Sequence, residues 1–273
     1  MSKILTKKKK TVQTFIKKKS KGEKITMLTA YDYFTASLLD RCGIDSILVG
    51  DSASNVVHGH KSTIPITMDI MVAHTAAVAR GNQNSLIVAD MPFLSFQPSV
   101  EIAILSSGRF LKEGAAEAVK MEGGLEMMQI VEKVVQAGIP VMGHIGLTPQ
   151  SIHRFGGPKI QGRKEKSQTY LKESALALEE AGCFSIVLEL VQADIAKEIT
   201  DSLKTAATIG IGAGAGCDGQ VLVINDILGL VDDSFKPKFL RQYVNLSPII
   251  LEAVEKYISD VQTGEFPSQE ESY

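Results

Sequence analysis

The sequence predicts a (β/α)8 barrel, with an extra helix before it and helices after it. Three observations lead there. From Ile25 onward, eight short runs of aliphatic or β-branched residues alternate with longer segments of helical period. These runs lack the in/out alternation of a half-exposed sheet, as expected for parallel strands buried on both faces. Residues with chemistry to offer close most of the runs, and a barrel gathers such residues at one mouth. Alternation alone also allows a doubly wound sheet; the strand ends favour the barrel.

The elements follow in order. Residues 1–24, MSKILTKKKKTVQTFIKKKSKGEK, hold ten lysines and one glutamate. Val12, Phe15 and Ile16 stand at i, i+3, i+4 of one short amphipathic helix. We expect this helix to lie against the body with its lysine face in solvent. An anionic-surface contact is the alternative, and no aromatic interleaving supports it. The strands are ITML (25–28), SILV (46–49), SLIVA (85–89), AVKM (118–121), PVMGHI (140–145), SIVL (185–188), ATIGI (207–211) and QVLVI (220–224). Between them helices are expected over Tyr33–Cys42, Met68–Arg80, Ser99–Glu113, Leu125–Ala137, Lys172–Ala181 and Asp194–Leu203. Gly43, Gly81, Gly138 and Gly182 stand where a helix C-terminus calls for glycine. Only Gly212–Gly219 separates strands seven and eight, less than a helical crossover normally takes, so that link is abbreviated or a boundary is displaced. Ser247-Pro248 opens a helix through Asp260, whose Ile250, Leu251, Val254 and Ile258 suit docking on the barrel or on a neighbouring subunit. The chain thus reads as one domain over 1–273: a basic extension (1–24), the barrel (25–226) and a helical segment with tail (227–273).

Composition narrows the function classes. With 273 residues and 44% apolar content the chain can fill a core, which excludes disorder. A formal net charge of −2 argues against a dedicated nucleic-acid binder. That value averages +9 over residues 1–24 and −11 over the rest. Three cysteines are too few and too scattered for a disulfide framework or a zinc site, and a reducing, cytoplasmic setting is expected. No apolar run approaches the ~20 residues of a membrane span, and the N-terminal stretch lacks a secretory h-region.

The strand ends carry Tyr31-Asp32, Gly50-Asp51-Ser52, Asp90-Met91-Pro92, Glu122-Gly123-Gly124, His144, Glu189, Gly212-Ala213-Gly214 and Asn225-Asp226. Acids crowded at one mouth repel each other, and a divalent metal with carboxylate and water ligands, Mg²⁺, neutralises them best. Asp51, Asp90 and Glu122 come from consecutive strands and are the expected metal ligands. A single acid in such a place is as often a helix N-cap; three in sequence favour the metal. Lys120 lies two residues before Glu122, so both point into the barrel, and a buried lysine needs an anion. A substrate carboxylate would serve, helped by Ser52 and its backbone N–H; an internal Lys–Glu pair is the plainer option. Glu189 is the candidate general base, its pKa raised by partial desolvation, or else a structural partner of a loop lysine. His144 could hydrogen-bond a developing charge, although a lone core histidine is usually structural. His58, His60, His74 and His153 read as loop or surface residues. IGIGAGAGCDGQ lacks the spacing of a phosphate loop and reads as a tight strand-to-strand passage. RFGGPKIQGR (154–163) is a candidate lid, or simply a mobile loop.

At these residues a resemblance emerges. VGDSASNVVHGHKSTIPIT, VADMPF, VKMEGG, GHIGLTPQS, FGGPKIQGR and IGIGAGAGCDGQVLVINDILG look like successive blocks of the ketopantoate hydroxymethyltransferase family, from about Thr26 to Gly264. The resemblance implies a barrel of the phosphoenolpyruvate/pyruvate type. It implies transfer of a one-carbon unit from 5,10-methylenetetrahydrofolate to 3-methyl-2-oxobutanoate, giving 2-dehydropantoate on the route to pantothenate. It matches Asp51, Asp90 and Glu122 to the site of one Mg²⁺ per subunit, and Asp51, Ser52, Asp90 and Lys120 to the α-keto acid contacts. Glu189 matches the proton acceptor and His144 a histidine close to substrate. A cytoplasmic homodecamer of two pentameric rings, with no nucleic-acid or membrane partner, is implied as well. Asn225 departs from the pattern, standing where the family usually carries histidine. The competing readings are a C–C lyase or phosphonate mutase of the same barrel type, and an anionic-polymer binder using the N-terminal lysines. Deleting residues 1–24 separates the last: a binder loses affinity, whereas the transferase is expected to keep its barrel chemistry.

Overall fold

The aliphatic runs pair as parallel strands in sequence order. In the computed structural model, which describes residues 8–230 and 237–273, they close into a barrel. The strands are β1 (Ile25–Thr29), β2 (Ser46–Val49), β3 (Leu86–Asp90), β4 (Ala118–Glu122), β5 (Val141–Gly146), β6 (Ser185–Glu189), β7 (Ala207–Ile211) and β8 (Gly219–Leu222). The helices are α1 (Val12–Lys21), α2 (Tyr33–Cys42), α3 (Ala53–Val56), α4 (Met68–Gly81), α5 (Val100–Lys112), α6 (Met128–Gln136), α7 (Ile152–Phe155), α8 (Glu165–Glu180), α9 (Ala193–Ser202), α10 (Ile224–Leu228) and α11 (Ser247–Thr263). The first seven residues of the expected basic extension, and residues 231–236 of the expected C-terminal segment, lie outside the described residues. The described chain divides into two units, one ending at Val223 and one starting at Ile224.

The abbreviated link is real: β7 and β8 pair in parallel through Ile209↔Gly219 and Gly210↔Gln220 with no helix between them. Several element ends shift by one to three residues, and two boundaries have a telling cause. The α8 helix starts at Glu165, seven residues before Lys172, because its first two turns are polar and offer no apolar period to read. The run QVLVI does not stay one strand; β8 ends at Leu222 and Ile224 opens α10. Asn225 and Asp226 therefore sit on a helix rather than at a strand end.

One interior cluster of the barrel joins Ile25, Met27, Leu48, Leu86, Val88, Ala118, Met142, Val187, Ala207, Ile209 and Val221 with Phe15 and Phe184. Phe15 comes from α1, is fully buried, and meets Phe184 edge-to-face at 5.3 Å. Its cluster partners Ile25, Leu86, Ala118 and Ala207 are first residues of strands, so α1 closes the N-terminal end of the barrel. Burying such a ring contributes about 1.5–3 kcal/mol.

The helix lies against the body as expected, and Lys17 and Lys21 face solvent, but Lys18 and Lys19, with Lys9 before the helix, meet acids of the barrel. Lys18 Nζ is 2.6 Å from Asp45 Oδ2, Lys19 Nζ 2.9 Å from Asp218 Oδ2, and Lys9 Nζ 2.8 Å from Glu117 Oε2. Each of these acids immediately precedes a strand and accepts the N–H of the second residue of the strand before it: Thr26, Thr208 and Ile87 respectively. Lys10 Nζ adds hydrogen bonds to the Gly43 and Ile44 carbonyls, and Lys24 Nζ to that of Cys217. Lys9, Lys10, Lys18, Lys19 and Lys24 thus have partners within the chain.

Within the second unit, the Tyr243 and Leu246 N–H groups donate to the Ile227 and Leu228 carbonyls, which ties the start of α11 to α10. Ile250, Leu251, Val254 and Ile258 on α11 are exposed.

Candidate active site

The same alternation that fills the apolar cluster delivers a polar layer above it. Val88, Ala118, Met142 and Val187 belong to the apolar cluster. Two residues further along their strands stand Asp90, Lys120, His144 and Glu189, on the same interior side. Strand register makes Asp90 the direct neighbour of Lys120, and Glu122 that of His144. Asp51 joins from the end of β2, its backbone N–H donating to Asp90 Oδ2 at 3.1 Å.

These groups form a continuous chain. Lys120 Nζ is 2.6 Å from Asp90 Oδ1, 3.9 Å from Glu122 Oε1 and 3.2 Å from His144 Nδ1. His144 Nδ1 is 3.5 Å from Glu122 Oε1, and its Nε2 is 3.2 Å from Glu189 Oε2. Asp51, Asp90, Lys120, Glu122 and His144 are all buried, whereas the Glu189 side chain keeps 18% exposure to the mouth. The close partner of Lys120 is thus Asp90 rather than Glu122, and that of Glu189 is His144 rather than a loop lysine.

Charge in this layer is unbalanced. Burial, then the carboxylates of Asp90 and Glu122, push the Asp51 carboxyl well above the usual range, against the pull of Lys120. Burial opposes the Lys120 ammonium, yet Asp90, Glu122 and Asp51 hold its pKa above the ordinary lysine value. Burial and Lys120 also oppose an imidazolium at His144, but Glu122 and Glu189 outweigh them and push it up to about 9. With Glu189 counted, four acids face Lys120 and the His144 imidazolium, an excess of acid that a divalent cation would offset. Glu122 Oε1 has no hydrogen-bond partner, a spare buried acceptor of the hard oxygen type that Mg²⁺ takes. Among the described residues no three acidic, imidazole or thiol groups form a ready-made cage. Mg²⁺ does not need one, because it keeps several waters, and a carboxylate outside direct contact can hold it through them.

The chain's likeness to known proteins agrees with this geometry. The family model described as ketopantoate hydroxymethyltransferase matches residues 9–269. The chain belongs to that family. It is 55% identical over 255 residues to the 3-methyl-2-oxobutanoate hydroxymethyltransferase of Syntrophus aciditrophicus (strain SB), covering 93% of each chain. It is 53% identical over 267 residues to the protein of the same name from Geotalea uraniireducens (strain Rf4), covering 98% of this chain and 99% of that one. Solved structures share the fold at low identity. A phosphonopyruvate hydrolase complexed with oxalate and Mg²⁺ aligns with a TM-score of 0.60 at 13% identity, over 96% of this chain and 93% of that one. A phosphoenolpyruvate phosphomutase from Streptomyces platensis subsp. rosaceus gives 0.61 at 12%, over 93% and 88%. The closed barrel fold is therefore shared with these structures.

Other strand-end residues take different parts. Asp32 is an N-cap: its carboxylate accepts from Thr35 N at 2.8 Å and Thr35 Oγ1 at 2.7 Å. Ser52 stands at the head of α3, its hydroxyl 2.8 Å from the Tyr31 hydroxyl. His58 Nε2 stands 2.9 Å from His74 Nε2. Segment 154–163 is anchored at Gln161, whose N–H donates to the Leu190 carbonyl at 2.7 Å. With Gly123, Gly124, Gly146 and Tyr170 it lines a cavity of about 200 Å³. Gly146 is required there: its φ is +101°, and a Cβ would stand 2.2 Å from the Glu189 carbonyl oxygen. Gln150 was not singled out from sequence. It follows β5 in a 3₁₀ turn, where no period marks a side chain as buried, yet it reaches both Asp51 and Glu122.

Proposed function

We propose that this chain transfers a hydroxymethyl group from 5,10-methylenetetrahydrofolate to 3-methyl-2-oxobutanoate. With water consumed, the products are 2-dehydropantoate and tetrahydrofolate, a step toward pantothenate. The observation that carries the proposal is the buried polar layer: three acids, one lysine and an imidazole at the mouth, with Glu189 beside them and open to it.

Asp51, Asp90 and Glu122 would hold Mg²⁺, which supplies Lewis-acid stabilisation of charge growing on a keto oxygen. Lys120 and Ser52 bind the α-keto acid carboxylate, the ammonium offsetting its charge in a low-dielectric site. Glu189, the one carboxylate of the layer with substantial exposure, accepts the proton from C3 of the keto acid. His144, bridging Glu122 and Glu189, holds Glu189 in place for that transfer. The nucleophilic C3 carbon then forms its bond to the folate-borne methylene. Exposed Phe34 and Leu38 on α2 and Leu105 on α5 offer apolar surface for a homo-oligomer, which the family resemblance makes a decamer; the same resemblance implies the cytoplasm.

Proton exchange at C3 tests the assignment. In D₂O with Mg²⁺ and no folate, wild type is expected to wash deuterium into 3-methyl-2-oxobutanoate. Glu189→Gln should abolish exchange while still binding the keto acid. Unchanged exchange in that variant would remove Glu189 from the role of base.

A further inference from the structure

Gln150 is 4% exposed and sits in the turn Pro149–Ser151 directly after β5. Its backbone N–H donates to Glu122 Oε2 at 3.0 Å. Its side-chain Nε2 donates to Asp51 Oδ2 at 3.0 Å and to the Met91 carbonyl at 2.8 Å. Met91 is the residue after Asp90. One residue thus touches two of the acids and the backbone beside the third.

The orientation of the amide is fixed by its surroundings. Its nitrogen faces two acceptors, and its Oε1 accepts from Gln97 Nε2 at 3.2 Å, so the reversed amide would lose all three bonds. The consequence for the acids is specific. Gln150 occupies Glu122 Oε2 and leaves Oε1 with no hydrogen-bond partner. It occupies Asp51 Oδ2 and makes no bond to Oδ1. Each carboxylate is held by Gln150 through one oxygen, and the other Glu122 oxygen, Oε1, faces His144 Nδ1 at 3.5 Å and Lys120 Nζ at 3.9 Å without a hydrogen bond. Such an arrangement opposes rotation of the neighbouring carboxylates away from one another.

We infer that Gln150 is a positioning residue, orienting Asp51 and Glu122 so that with Asp90 they bind a divalent cation. This rests on the metal-site reading above. Groups that orient metal ligands are typically worth about 10- to 100-fold in metal affinity.

The test is a Mn²⁺ titration of the full chain without keto acid or folate, with free Mn²⁺ followed by its paramagnetic resonance signal. Gln150→Met keeps the side-chain length, removes the amide, and leaves the backbone bond to Glu122 intact. Its Mn²⁺ dissociation constant should rise about 10- to 100-fold. At saturating Mg²⁺ kcat should largely recover, so the defect moves the Mg²⁺ requirement more than the turnover. Circular dichroism and the urea midpoint report whether the variant folds; should it not, Gln150→Asn, which keeps the amide one methylene short, is expected to show the same weakening. Wild-type affinity in the folded variant overturns the role of Gln150. Asp90→Asn separates the two levels: if it too binds Mn²⁺ like wild type, or wild type binds none, the metal-site reading falls and takes this inference with it.

Discussion

Lys120 decides how the acids of the mouth can coexist. It is buried, 2.6 Å from Asp90, and the one lysine in the layer opposite three carboxylates. Removing one partner of a buried charge pair costs about 3–5 kcal/mol, because the other is left uncompensated. Lys120→Met should therefore lower stability by about that amount in the metal-free protein, read from the urea midpoint, and added Mg²⁺ should restore part of it. A metal-free variant as stable as wild type would show that these carboxylates bury as neutral acids and need no counter-charge. At this scale the sequence was readable wherever a strand carried the residue. Period-two alternation placed Lys120 and Glu122 on one side, and Asp90, His144 and Glu189 are all closing residues of strands or their near neighbours. Gln150 was hidden because a 3₁₀ turn has no period that reports burial. Asp32 shows the opposite limit: a strand-end acid read alone cannot be told from an N-cap.

Among the elements, α1 is the one whose part sequence reading misjudged. Its apolar triplet was visible, but lysines pattern alike whether they face water or a ring of acids, and the ring forms only when the barrel closes. Asp45 is the clearest member of that ring. Burial opposes its charge, yet the Lys18 hydrogen bond, the Thr26 N–H and the Lys18 charge together hold its carboxyl below the usual range. A folded pKa below the unfolded value of about 3.9 means the stabilisation is complete above pH ~4 and is lost as pH falls through the folded value. Asp45→Asn removes that contribution and should flatten the fall of the urea midpoint below pH ~4, while lowering stability near neutrality. Identical acid limbs in the two proteins would place the acid sensitivity elsewhere. The misplaced boundaries have equally local causes. Seven polar-dominated residues open α8, and the aliphatic run 220–224 spans a strand end and a helix start without a break in composition.

For the molecule, charge and chemistry divide between the two ends of the barrel. Acids outnumber bases at the mouth, where substrate and metal are proposed to bind, whereas at the floor Lys18 and Lys19 of α1, with Lys9 before it, meet Asp45, Asp218 and Glu117. This changes what removal of residues 1–24 should do. Read from sequence, the truncation leaves barrel chemistry intact, because the extension looks like an appendage. With Phe15 inside the barrel cluster, it instead opens a cavity, and truncating such a ring alone costs about 3–5 kcal/mol. It also leaves Asp45, 6% exposed, without Lys18 and Lys10, a further but smaller loss because both lysines are only part-buried. Together these approach the whole stability of an ordinary domain, about 5–15 kcal/mol. The truncated chain should lose its cooperative thermal transition and its C3 exchange activity together. Phe15→Ala should remain folded but melt earlier, with activity at low temperature preserved, since the ring lies in the cluster beneath the reacting groups. A truncated protein that melts like wild type would show α1 to be dispensable to the barrel; one that stays folded yet loses exchange would give the floor helix a role in catalysis that this geometry does not provide.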